Sequence, residues 1–241
     1  MATITEPKAK VLIWDIETRG LQADYGTLFC VGWKFLGDKG VQVKSIHDIP
    51  GKHPLDDKPL IKWFVENVWN KADIAVGWYS SGHDEPFLRT RMIMHGLSAP
   101  KPVQTLDLWG KVWKRFKFSK NSLHNVARKL GLTPKWYNED ADFEKVLYGD
   151  VGAMKRIVKH CKIDVLITEE AYEKFKGYIL AHPRVSVDSW KCRTCGSSAL
   201  QRRGWRFSAQ KGKQQVVWCK KCKGWDSKNL KELNQADGKA E

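Results

Sequence analysis

Asp15 and Glu17 stand one residue apart at the end of an apolar run, VLIWDIETRG, residues 11–20. Side chains alternate along a strand, so the two carboxylates face the same way with Cα atoms roughly 6–7 Å apart. Like charges so placed repel unless a cation lies between them, and a hard divalent ion such as Mg2+ or Mn2+ suits oxygen ligands. Taken alone, an Asp-x-Glu pair describes a solvated loop just past a strand equally well. Asp84, in GWYSSGHDEPFL, is a second acid at the start of a helix. N-capping, shared with Ser81 and Glu85, is its competing reading. Asp164, in HCKIDV, sits in an apolar helical turn where an unpaired carboxylate would be costly to bury. His160 lies one turn earlier on the same face, so the pair either ties the helix down or joins the acids.

A second constellation is sulfur. CRTC and CKKC put four thiols into two knuckles, Cys192, Cys195, Cys219 and Cys222, with 23 residues between the pairs. Zinc held tetrahedrally by all four is the expected occupant, in a closed and therefore structural site. Disulfide or redox use fits less well with an intracellular chain. Cys30 and Cys161 read as ordinary packed thiols.

The elements that must position these groups follow from periodicity. KVLIWDI, TLFCVGWKFLG and VQVKSIH read as three strands of an antiparallel start. LIKWFVENVWNK has helical spacing and DIAVGW returns to strand, which implies a crossover. DEPFLRTRMIMHGL reads as a helix closed near Gly96, and VQTLDLW as a further strand. SKNSLHNVARKLGL is an amphipathic helix stopped by Gly131. TPKWYNEDADFE reads as a polar loop, and GAMKRIVKHCKIDVLITEEAYEKFKGYI as a long helical stretch, divisible near Lys162. Strands followed by strands alternating with helices give an α/β sheet of mixed direction. We expect the main domain to occupy residues 1–182, a linker 183–189, a zinc ribbon 190–227 built from two strands within GWRFSAQKGKQQVVW, and a flexible tail 228–241.

In order and spacing, WDIET, GWYSSGHDEPFL and HCKIDVLITEEAY resemble the three exonuclease motifs of the DEDD superfamily, whose fold is RNase H-like. The likeness runs from about residue 10 to about residue 180 and leans toward the proofreading domains of family B DNA polymerases and their stand-alone relatives. It implies a mixed sheet flanked by helices and two Mg2+ or Mn2+ ions held by Asp15, Glu17, Asp84 and Asp164. The implied activity is hydrolysis of phosphodiesters from a 3′ end, in DNA by first choice and in RNA by the alternative. His160 replaces the Tyr that such domains carry four residues before the last Asp; a sister group has His, five before. His160 can orient or deprotonate a water, its ordinary pKa being near neutrality. Tyr79 stands where Asn is usual, and His83 where an aromatic ring precedes the Asp; these departures bear on substrate positioning.

A formal charge of +15 on 241 residues gives an electrostatic reason to sit on a polyanion. Residues 188–241 hold thirteen Lys/Arg against five Asp/Glu. Arg202, Arg203, Arg206, Lys211 and Lys213 can track phosphates while Trp205 stacks on a base. Of Trp190, Trp205, Trp218 and Trp225, at least two are expected to form the ribbon's small core, and docking to a replication or repair protein is the ribbon's other use. No apolar run approaches the roughly 18 residues of a membrane span, and no secretory signal core precedes the first strand. The expectation is an intracellular protein, cytoplasmic or nucleoid-associated. A silent nucleic-acid-binding module or an adaptor would leave the four acids unexplained.

Overall fold

The computed structural model describes residues 9–135 and 140–229. The chain divides into two units, residues 10–172 and the remainder. The larger unit is built on five strands: β1 (Val11–Arg19), β2 (Thr27–Phe35), β3 (Gln42–Ser45), β4 (Ile74–Gly77) and β5 (Gln104–Asp107), in the order β3-β2-β1-β4-β5. β1, β2 and β3 pair antiparallel, whereas β4 joins β1, and β5 joins β4, in parallel. β1 is central, and its opening Val11, Leu12, Ile13 and Trp14 are buried, as an apolar run without alternation requires. The expected mixed sheet is therefore present, but β1 runs on to Arg19, so Asp15 and Glu17 lie inside a strand rather than beyond it. Opposite Glu17 the β1–β2 register skips Phe29, a bulge beside the acids.

Among the described residues six α-helices accompany the sheet: α1 (Lys58–Asn67), α2 (Asp84–Met94), α3 (Leu108–Arg115), α4 (Leu123–Leu130), α5 (Asp140–Leu147) and α6 (Val151–Phe175). α4 begins at Ser122, whose hydroxyl accepts from the Asn125 amide at 3.3 Å, and ends at Gly131 with φ +63°. Three expectations are corrected. The strand VQTLDLW stops at Asp107, which caps α3 by accepting from the Trp109 amide at 2.9 Å. The loop TPKWYNEDADFE gives way to helix at Asp140, its residues 136–139 lying outside the described residues; buried Asp142, paired with Arg156 of α6, anchors it. α6 is one helix of 25 residues with no break at Lys162.

The core joins Trp14, Phe29, Phe64 and Trp69 to the inward faces of α1, α2 and α6. α6 closes onto β2 because Gly32 has no side chain: a Cβ there would lie 2.8 Å from Cys161 Sγ and 3.0 Å from Val165 Cγ2. Lys34 of β2 and Glu169 of α6 pair at 2.6 Å beside that approach.

In the smaller unit β6 (Leu200–Ser208), β7 (Gly212–Cys219) and β8 (Trp225–Asn229) form an antiparallel sheet in that order, so the two expected strands gain a third. The tail expected from residue 228 lies, apart from Lys228 and Asn229 of β8, outside the described residues. The four tryptophans do not form the core: Trp205 and Trp225 are exposed and Trp190 and Trp218 are half-buried. Cys192, Cys219, Val185 and Val217 are buried instead, with Lys228, whose Nζ donates to Lys191 O at 2.8 Å. Among the described residues no helix is long and apolar enough to cross a membrane.

Candidate metal centres

β1 and α6 carry most of the acidic site. Ligand atoms of Glu17, His160 and Asp164 lie within 4.8 Å of one another, as do those of Asp15, Glu17 and Cys161. His160 Nε2 stands 3.6 Å from both Glu17 Oε1 and Asp164 Oδ2. Asp84 belongs to neither grouping. It is the first residue of α2, capping nothing downstream, and its Oδ1 accepts from the Ile16 amide at 3.2 Å, between the two β1 acids. His83 Nε2 lies 3.2 Å from Thr18 Oγ1. Of the five expected residues, four are thus gathered side chain to side chain and the fifth is tied to the strand between them.

The electrostatics are those of acids held together without enough positive charge. Burial raises Asp15 well above the usual carboxylate range, and the charges of Asp84, Glu17 and Asp164 add to it. Burial likewise lifts Glu17 to about 7, against the pull of His160. Asp84 is also pushed up to about 7 by burial, against the Ile16 hydrogen bond, with Asp107 adding to the rise. Asp164 Oδ1 is buried with no hydrogen-bond partner among the described residues, as is His160 Nδ1. Repelling carboxylates and an orphaned oxygen fit hard divalent cations. The cluster is a candidate metal site on its donor set alone. Burial pushes the Cys161 thiol well up, and its Sγ donates to Asp15 O at 3.6 Å.

Lys135 is the site residue that the sequence did not announce. Its ammonium bonds Asp164 Oδ2 from the segment after α4, the place where a cation is called for. Burial pulls its pKa down, but Asp164, Asp15 and Glu17 outweigh that and the net movement is upward. Thr133, two residues before, anchors the segment to α6 through amide and hydroxyl bonds to Glu170, both 2.7 Å.

Because these carboxyls bind protons more tightly folded than unfolded, they favour the fold at pH below about 4, and that contribution is lost as pH rises through about 7. Added Mn2+ should therefore raise the melting temperature more at pH 8 than at pH 5, where protons compete for the same oxygens. Melting curves at the two pH values with and without Mn2+ test this; an equal shift at both would mean that the cation binds elsewhere.

In the smaller unit the four cysteines converge. Cys192 and Cys222 Sγ are 3.6 Å apart and Cys195 and Cys219 Sγ 3.7 Å, too far for disulfides. A tetrahedron with Zn–S bonds of about 2.3 Å would set sulfurs roughly 3.8 Å apart. The two knuckles match: Gly196 N donates to Cys192 O and Lys223 N to Cys219 O, both 2.9 Å, with left-handed φ of +68° and +61° following each second cysteine. Hydrogen bonds from Cys192 and Cys222 hold Cys195 down to about 3, and Cys222 is pushed up in return. Four clustered thiols of this spacing suggest a structural zinc.

The expected ribbon contacts are shared between two faces of its sheet. Lys213 Nζ sits 4.6 Å from the Trp205 ring centroid on one face, whereas Arg206 turns to Gln214 Oε1, 3.2 Å away, on the other. Arg202 lies over Trp190 at 5.5 Å and Arg203 over Trp218 at 5.8 Å. Lys211 closes the β6–β7 turn, its amide donating to Ser208 Oγ at 3.0 Å.

No curated protein matches the chain. Among solved structures it is similar to the family B DNA polymerase from the hyperthermophilic archaeon Pyrobaculum calidifontis, with a TM-score of 0.54 and 18% sequence identity over 84% of this chain. The match spans only 31% of that polymerase. The family model for the RNase_H superfamily matches residues 12–176, well over half of the sequence, on the sheet and helices that carry the acids; the chain belongs to that superfamily.

Proposed function

We propose that the protein is a metal-dependent 3′–5′ exonuclease that hydrolyses phosphodiester bonds, in DNA by preference. The observation that carries the reading is the gathering of Asp15, Glu17, His160 and Asp164, with Asp84 tied to Ile16, inside an RNase H superfamily domain. Asp15, Glu17, Asp84 and Asp164 are the residues that would hold two Mg2+ or Mn2+. Such ions polarise a phosphate, lower the pKa of an attacking water and neutralise the leaving oxygen. The chain's own contribution is orientation and proton handling. His160 Nε2, equidistant from Glu17 and Asp164, is placed to accept a proton from a water held among these acids. Lys135 supplies a fixed positive charge at Asp164.

The deciding experiment incubates purified protein and Mn2+ or Mg2+ with 5′- and 3′-labelled single- and double-stranded DNA and RNA. A ladder shortening from the 3′ end is expected. Degradation in excess EDTA, or none of any substrate with either metal, overturns the reading, and RNA as the sole substrate shifts it to a ribonuclease of the same fold. His160→Ala should slow turnover by about 10²–10⁴-fold, the scale of general acid–base assistance. Parent rates at saturating metal would reduce His160 to a partner of Asp164 that only fixes the helix.

A further inference from the structure

Three aromatic rings form a ladder on the larger unit without entering its core. Trp109 and Trp113 of α3, four residues apart, stack with centroids 5.7 Å apart and planes within 7° of parallel. Tyr79 meets Trp109 edge-on at 5.1 Å. Tyr79 is 47% and Trp113 61% exposed, so large ring faces are left to solvent.

The ladder is held at its base with some care. One carboxylate, Asp107, accepts from the amides of Tyr79 and Trp109, both at 2.9 Å, and from the Ser81 hydroxyl. Tyr79 also adopts φ +63°, a left-handed conformation costly for a bulky residue, and its ring lies across Gly82, where any Cβ would collide with it. Burial does not account for this, because Tyr79 and Trp113 stay exposed and Trp109 is only half-buried.

Charge and place complete the argument. Residues 108–120, LWGKVWKRFKFSK, hold five Lys/Arg and no acid, and these cations form no ion pair among the described residues. β5 ends at Asp107, and the loop after its parallel neighbour β4 carries Tyr79 and leads into Asp84 at the start of α2. The ladder therefore starts from the sheet end that bears the acids.

We propose that Tyr79, Trp109 and Trp113 form a stacking platform for the unpaired bases of a single-stranded nucleic acid, with Lys111, Lys114, Arg115, Lys117 and Lys120 along its phosphates. A duplex hides the faces of its bases, whereas a single strand presents them, and stacking on an aromatic ring accepts any base. The platform's role in leading a 3′ end to the acids rests on the exonuclease reading; its binding does not.

The test uses the full chain carrying Asp15→Asn, so that binding can be measured without cleavage. Dissociation constants are compared for a labelled single-stranded oligonucleotide, the same strand with abasic sites, and a blunt duplex, in DNA and RNA arms. The base-bearing strand should bind best, and Trp113→Ala should weaken it by about 5- to 150-fold, the worth of one stacked base, while changing the abasic strand little. Trp113→Phe should recover part of the loss. Gly82→Ala, which displaces the Tyr79 ring without touching α3, should act in the same direction. Indifference to base removal in the parent, or an unchanged constant for both Trp113→Ala and Gly82→Ala, overturns the platform and leaves a protein-docking face. Base-selective binding by the Asp15→Asn chain together with no cleavage by the unsubstituted chain would refute the nuclease alone, and cleavage by the unsubstituted chain without base-selective binding would refute the platform alone.

Discussion

Asp15→Asn should abolish cleavage, by at least about 10³-fold, while the fold remains and the metal-free protein becomes no less stable. Loss of one preorganised charged group at a reacting centre is worth about 10²–10³ by itself, and here the group would also be needed to retain a cation. Stability should move the other way. Burial and three neighbouring acids already make the Asp15 carboxylate expensive to ionise, so a neutral amide of nearly the same shape relieves repulsion. At pH 8 without divalent metal, the variant should melt at or above the parent temperature. Asp164→Asn makes a useful contrast: it should be equally inactive, but it takes the carboxylate away from the half-enclosed Lys135 ammonium and should lower the melting temperature. Full activity in either variant would sink the two-metal reading. A large loss of stability in Asp15→Asn would show that its charge is structurally paired.

Much of this site was readable because it sits on strongly patterned elements. An apolar run identifies β1, and alternation puts Asp15 and Glu17 on one face. An i, i+4 spacing puts His160 and Asp164 on one helix face. The motif order then brings the pieces together. Lys135 had no such signal. It lies in a polar stretch whose place is set by Thr133 and Glu170, 37 residues apart, a pairing that periodicity does not encode. The same is true of Asp57, which lies just before α1, is wholly buried and accepts from Leu28 N at 2.8 Å and from Arg91 at 2.8 and 3.0 Å, with His95 Nε2 2.6 Å away. That cluster fixes α2, and so Asp84, through partners 29 to 38 residues distant. α3 escaped notice because it is short and begins one residue after a strand, with only Leu108 and Val112 buried along it. α5 escaped because buried Asp142, paired with Arg156, looks polar in sequence although it is interior in the fold.

The second large effect expected is the collapse of the ribbon on removal of its cysteines. Cys192→Ser with Cys195→Ser takes away half of the four-sulfur cluster, and among the described residues the buried apolar side chains left in that unit are Phe175, Ile179, Val185, Val217 and Cys219. A core of that size does not fold a ribbon without its metal, because in such modules metal binding and folding are one free energy. The variant should release zinc, and protease should cut between β6 and β8, while the larger unit, with its own core and all four acids, keeps its melting transition. Short oligonucleotides at high concentration should still be degraded. Capture of longer ones should weaken, and each phosphate that the ribbon no longer neutralises should flatten the slope of log K against log salt by roughly 0.7–0.9. Binding isotherms of parent and variant across a salt series separate the possibilities. A ribbon that stays protease-resistant without bound metal would refute the zinc assignment. A ribbon that unfolds while affinity and slope stay unchanged would show that Arg202, Arg203, Arg206, Lys211, Lys213 and Trp205 face something other than nucleic acid, and the search would pass to a protein partner.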